Sequence, residues 1–194
     1  MVGDEIRTGG GPAELTAAEL APAERVPAER VPAELAAGLR AGYDAAAGEW
    51  ADGPGLMYAR LARDPGPLLE ALAATPQTFV HSNFKLDNLG TDDAGRTVLL
   101  DWEQPGRGAP LSDLAWYLAI NCRRLPQSKQ ASIAAYREAL EGCGIDTGPW
   151  WDRQLALCLL GAMVLFGWEK ALGGYDEELA WWETESIRAA ALLD

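Results

Sequence analysis

Basic and metal-ligating side chains are scarce in this chain. It holds three lysines (Lys85, Lys129, Lys170), one histidine (His81) and three cysteines (Cys122, Cys143, Cys158) in 194 residues. Sixteen Lys and Arg stand against 29 Asp and Glu, a formal net charge of -13. No polybasic surface is left to neutralise a phosphodiester backbone, which excludes nucleic acid as a partner. Three widely spaced cysteines and a single histidine argue against a disulfide framework and a Cys/His zinc site. Long apolar runs are also missing. The longest, Leu155 to Trp168, is 14 residues, short of the roughly 20 that a membrane span needs and suited to a buried helix. No membrane partner is expected. The start, Met1-Val2-Gly3-Asp4-Glu5, is acidic and carries no apolar export segment. The expectation is a reduced, cytoplasmic protein.

Hydrophobic residues make up 48% of the chain, too many for a wholly disordered polymer and enough for one domain with a packed core. The first 32 residues stand apart. Pro22, Pro27 and Pro32 recur every five residues within repeated Pro-Ala-Glu units, and proline at that period prevents a continuous helix. Residues 1–32 therefore read as a flexible tail, and residues 33–194 as the domain. Pro32 suits the first turn of a helix running from Ala33 to about Trp50. Two short helices follow, framed by Gly53-Pro54-Gly55 and Asp64-Pro65-Gly66-Pro67, and end near Ala74. Thr78-Phe79-Val80 and Thr97-Val98-Leu99-Leu100 are the two β segments, with turn chemistry between them in Thr91–Arg96. After Gly106 and Gly108 the pattern is helical: one helix capped by Ser112 or Asp113 and reaching Arg124, then Ser128–Glu141, Trp150–Leu172 and Asp176–Leu192. The fold class is mainly α with a small β-hairpin, α+β.

The chemistry lies in Phe79-Val80-His81-Ser82-Asn83-Phe84-Lys85-Leu86-Asp87-Asn88-Leu89, followed by Leu99-Leu100-Asp101-Trp102-Glu103 and then Asp113-Leu114-Ala115. Asn88 supplies an amide oxygen and Asp101 a carboxylate. A turn at Asp92–Arg96 brings both to one end of a hairpin, and such hard oxygens suit Mg²⁺. These motifs, in this order, resemble the aminoglycoside phosphotransferase and choline kinase family, relatives of the protein kinases. The family signature is His-Gly-Asp, four residues, Asn, a strand ending in Asp-Trp or Asp-Phe, and Asp-Leu-Ala. The resemblance covers about residues 36–194 and implies the C-terminal lobe of the protein-kinase-like phosphotransferase fold. It implies ATP and Mg²⁺ as cofactors, Asn88 and Asp101 as metal and nucleotide ligands, and a small-molecule hydroxyl as phosphoryl acceptor. It also implies that His81 is a structural residue holding the catalytic loop and that Asp113 hydrogen-bonds that loop. A helix cap is the plainer reading of Asp113.

The chain departs from its family twice. Ser82-Asn83 stands where the family has Gly-Asp, so Asn83 occupies the position of the aspartate that orients the acceptor hydroxyl and takes its proton. An amide cannot take that proton, and loss of a general base costs about 10²- to 10⁴-fold. Asp87, four residues further on, does not replace it. The family also has an N-terminal lobe with a nucleotide-covering loop and a Lys–Glu pair. Nothing before residue 36 reads as that lobe, and Gly9-Gly10-Gly11 lacks the strand and helix that make a phosphate cradle. Two functions follow. One is a phosphotransferase impaired at Asn83 and by the missing lobe. The other is a catalytically inactive, pseudokinase-like binding module or truncated remnant, whose exposed apolar face would take a protein partner or a second copy. Glu103 reads as an outer metal neighbour or a solvated residue. The acidic residues Glu169, Asp176, Glu177, Glu178, Glu183 and Glu185 read as an attraction for a cationic acceptor or, more commonly, a solvated helix face. The tryptophans of the late helices read as core.

Overall fold

The computed structural model of the chain describes residues 33–48, 54–174 and 176–193. The stretch read as a tail, 1–32, lies outside the described residues. Among the described residues, seven helices and four three-residue strands follow in order: α1 Ala33–Ala46, α2 Gly55–Arg63, α3 Gly66–Ala73, β1 Thr78–Val80, β2 Leu89–Thr91, β3 Thr97–Leu99, β4 Gly106–Gly108, α4 Pro110–Ile120, α5 Lys129–Gly142, α6 Trp151–Leu172 and α7 Asp176–Ala190. A 3₁₀ turn, Leu86–Asn88, precedes β2.

The core forms around α6, which packs against α1, α2, α3, α4 and α7. Leu157, Leu159, Leu160 and Met163 on this helix are almost wholly buried, each contributing about 1.5–3 kcal/mol by leaving water. By length and composition α6 is apolar enough to cross a membrane, the 14-residue run being extended at both ends. Half of its most apolar window is buried inside the protein, so packing accounts for much of that apolarity. From α1, Leu39, Tyr43 and Ala46 turn inward, a spacing of four and three that keeps them on one helical face. The Tyr43 hydroxyl donates to the Met163 carbonyl at 2.6 Å, and burial pushes its ionisation far above the ordinary phenol range. Gly42 is needed at this crossing: a Cβ there would lie 2.3 Å from the Trp168 ring.

The four strands form two antiparallel ribbons, not one hairpin. The sequence reading made Thr78–Val80 and Thr97–Leu100 its two β segments. Instead β2 pairs with β3, Leu89 opposite Leu99 and Thr91 opposite Thr97. The first segment, β1, pairs with β4, Thr78 opposite Gly108 and Val80 opposite Gly106. The β4 segment carries no β-propensity of its own, and glycine serves there for close approach. A Cβ on Gly108 would sit 2.8 Å from Val80 Cγ2. The turn expected between Thr91 and Arg96 forms around Asp92. Asp92 Oδ1 accepts from the Ala94 and Arg96 amides at 3.0 and 2.9 Å, and Asp92 Oδ2 from Arg96 Nε at 2.8 Å. The Arg96 backbone amide foremost, with its guanidinium, holds this carboxyl below the usual carboxylate range.

The helix α4 begins at Pro110, with Ala109 before it and no side-chain cap. It ends at Ile120, short of Arg124, where Asn121 Nδ2 donates back to the Tyr117 carbonyl at 2.9 Å. For α5, Ser128 is the cap, its Oγ accepting from the Ala131 amide at 3.1 Å. Fully buried Gln154 on α6 ties three pieces together. Its Nε2 donates to Thr75 Oγ1 at 2.7 Å and to the Pro76 carbonyl at 2.9 Å. Its Oε1 accepts from the Leu111 amide at 3.2 Å. Thus the chain entering β1 and the first turn of α4 are fixed on the central helix, and the loop between them is the candidate site.

Candidate functional site

Buried Val80 ends β1, and His81 follows at 3% exposure. The Asn83 amide donates to His81 Nδ1 at 3.2 Å, so Nδ1 carries no proton and Nε2 carries it, donating to the Leu100 carbonyl at 2.8 Å. Both ring nitrogens are therefore occupied in joining the loop to the end of β3. The ring also packs on Trp102 with centroids 4.4 Å apart. His81 is built in as a structural residue and has no free nitrogen for proton transfer.

Asp113 on α4 holds the same loop. Its Oδ2 accepts from the His81 amide at 2.7 Å and its Oδ1 from the Ser82 amide at 2.9 Å. It caps no helix. A carboxylate taking two consecutive amides fixes their peptide planes as one neutral side chain cannot. On the opposite side Asn121 Oδ1 accepts from the Leu86 amide at 3.3 Å, and Arg124 pairs with exposed Asp87 at 2.8 Å.

Within this frame the β2–β3 ribbon delivers Asn88 and Asp101 to one end, since the Leu100 amide donates to the Asn88 carbonyl at 2.9 Å. The three sequence-predicted residues Asn83, Asn88 and Asp101 converge there. Asn83 Nδ2 donates to Asp101 Oδ2 at 2.7 Å. Asn88 Nδ2 donates to the same oxygen at 3.2 Å and to the Asn83 carbonyl at 2.8 Å. One carboxylate oxygen thus receives two amide donors.

Two residues here carry backbone angles that sequence does not reveal: Ser82 at φ 63° and Asp101 at φ 61°. Non-glycine residues in the left-handed region cost about 1–2 kcal/mol, and such strain concentrates at functional sites. The Ser82→Gly variant should be more stable by about 0.5–1 kcal/mol, the relieved strain being partly offset by glycine's greater freedom in the unfolded chain. Urea unfolding measures this, and no gain would show that Ser82 is not strained.

The model of the phosphotransferase enzyme family matches residues 9–147, a span containing every residue of this loop. The chain belongs to that family. Its relatives are the aminoglycoside phosphotransferases and choline kinases. The match begins ahead of the residue 36 at which the motif resemblance starts, and ends ahead of α6. No curated protein and no solved structure matches the chain.

For a member of this phosphotransferase family the donor set can be tested against the Mg²⁺ of the family chemistry. Among the described residues no group of three or more His, Cys, Asp or Glu could hold a metal alone. One exposed carboxylate, Asp101, and one buried amide, Asn88, remain. That set fits Mg²⁺ brought in with a nucleotide, because this ion keeps waters and phosphates and takes few protein oxygens. Glu103 is exposed. Of the acidic cluster, Glu178 pairs with Lys129, and it also accepts from Trp182 Nε1 at 2.6 Å. Trp151 and Trp182 are buried in the core. Sequence reasoning missed Asn121 and Gln154, whose supporting bonds span 35 and 43 or more residues and leave no local pattern.

Proposed function

We propose that this chain is a phosphotransferase-family domain of the protein-kinase-like C-lobe type, disarmed at its proton acceptor. The observation that carries the reading is the Asn83 amide donating to Asp101 at 2.7 Å. A group that donates toward the metal-binding carboxylate is the reverse of a base awaiting a hydroxyl proton. Phosphoryl transfer depends on positioning and charge neutralisation more than on covalent help, so binding can outlast turnover. Asn88 and Asp101 would hold Mg²⁺, which when bound neutralises the nucleotide phosphates. Asp113 and His81 keep the loop in register, and Asn83 can orient an acceptor hydroxyl of a small molecule but takes no proton from it.

The test is calorimetric titration with ATP, with and without Mg²⁺, beside an Asp101→Ala variant. Mg²⁺-dependent binding that the variant loses at least tenfold is the expected result. No binding at millimolar nucleotide would overturn the reading for this chain. A second reading, a binding module without catalysis, draws on an apolar face beside the loop. Phe79 and Trp102, 67% and 46% exposed, stack with centroids 6.0 Å apart, and Val98 and Leu100 are exposed nearby. A protein partner or second copy covering this face would leave the titration blank.

A further inference from the structure

Away from that loop, three elements meet around a buried lysine. Lys170, near the end of α6, is 4% exposed. Its Nζ donates to the Ala119 carbonyl at 3.0 Å and to Cys122 Sγ at 3.4 Å. Glu178 Oε1 lies 3.8 Å away and the Trp182 ring 5.7 Å. The lysine is thus held by fixed partners with its nitrogen on the cysteine sulfur. Cys122 itself is half-buried and lines a cavity of about 660 Å³, walled by Arg123, Lys129, Glu178 and Trp181. A small polar oxidant can reach the sulfur through that cavity, while the lysine behind it stays sheltered.

We propose that Cys122 and Lys170 form an oxidation-dependent covalent cross-link, a sulfur–nitrogen bond between α6 and the turn that ends α4. Hydrogen peroxide is the oxidant. The Cys122 thiol takes one peroxide oxygen to become a sulfenic acid, two electrons leave sulfur, and the second oxygen departs as water. Lys170 gives one ammonium proton to the Glu178 carboxylate. The freed amine attacks sulfur, the S–OH bond breaks, and hydroxide leaves as water with the amine's second proton. The product is lighter than the reduced protein by two hydrogen atoms, and a thiol reductant reverses it.

The other two cysteines lack one requirement each. Cys143 is exposed, with no amine placed on it among the described residues, so its sulfenic acid proceeds to sulfinic acid. Cys158 is buried, and burial pushes its thiol far above the ordinary range, which withholds the reactive thiolate. It also lies about 18 Å along α6 from Lys170, too far for a disulfide with Cys122. The cross-link would pin the turn whose Asn121 and Arg124 support Leu86 and Asp87, linking oxidation to the catalytic loop.

The experiment treats the full chain with hydrogen peroxide, alkylates the remaining thiols, and maps tryptic peptides by tandem mass spectrometry before and after dithiothreitol. In wild type and in Cys143→Ser, the Cys122 and Lys170 peptides should be joined, two hydrogens short, and released by the reductant. In Lys170→Arg, Cys122 should instead become sulfinic acid. Cys122 found as sulfinic acid beside a free Lys170, in a disulfide with Cys143, or unmodified in the wild-type chain would each overturn the proposal. The wild-type map decides the matter even if the arginine variant fails to fold.

Discussion

Asn83→Asp should raise phosphoryl transfer from Mg–ATP by about 10²- to 10⁴-fold, the span that a general base contributes. The geometry makes the change local. The amide nitrogen of Asn83 lies 2.7 Å from Asp101 Oδ2, so the substitution sets a second carboxylate oxygen against the first. Two such groups side by side must share a proton or recruit a cation. The variant should therefore bind Mg²⁺–nucleotide more tightly than wild type and be less stable in chelator. Turnover can be followed as ADP release with water and with amino sugars or choline as acceptors. Increased binding without increased turnover would place the block elsewhere, in the groups that cover the nucleotide. Unchanged binding and turnover would mean that Asn83 and Asp101 do not face a common ion.

Several helices were legible from a local cause, whereas α4 starts without the side-chain cap expected of Ser112 or Asp113. Leu39 and Tyr43 repeat at helical spacing, Ser128 caps α5, and the Gly-Pro clusters punctuate α2 and α3. The site triad was legible for another reason: a motif order that resembles a family names Asn83, Asn88 and Asp101 directly. What stayed hidden is whatever depends on distant partners. A Gly-Arg-Gly segment becomes strand β4 only because β1 lies beside it with Val80 over Gly108. A left-handed Asp101 follows from the geometry of the ribbon's end and not from its own preference. The amide orientation that ties Asn83 to Asp101 is likewise a product of the folded loop. The sequence places an amide where the family signature has an aspartate, and the structure shows that amide donating to Asp101.

The loop's dependence on Asp113 gives the largest expected loss of stability. Asp113→Ala removes both acceptors from two consecutive backbone amides, His81 and Ser82, bonded at 2.7 and 2.9 Å. Hydrogen bonds to a charged group are worth about 1.5–3 kcal/mol each, and donors stranded away from water add their own penalty. Because Asp113 is partly exposed, water recovers part of the loss, which leaves about 3–4 kcal/mol in urea unfolding. That is a large fraction of the roughly 5–15 kcal/mol that holds a domain together. Asp113→Asn keeps one acceptor oxygen and should lose about half as much. If Asp113 acted only as a helix cap, the alanine variant would cost about 1 kcal/mol and leave amide exchange at His81 and Ser82 unchanged. Exchange at those two amides should instead quicken by orders of magnitude more than at Leu157 in the core, because the loop is released before the domain unfolds. Under the same conditions nucleotide binding should fall with loop order, tying the stability of one carboxylate–amide pair to the geometry of Asn83, Asn88 and Asp101.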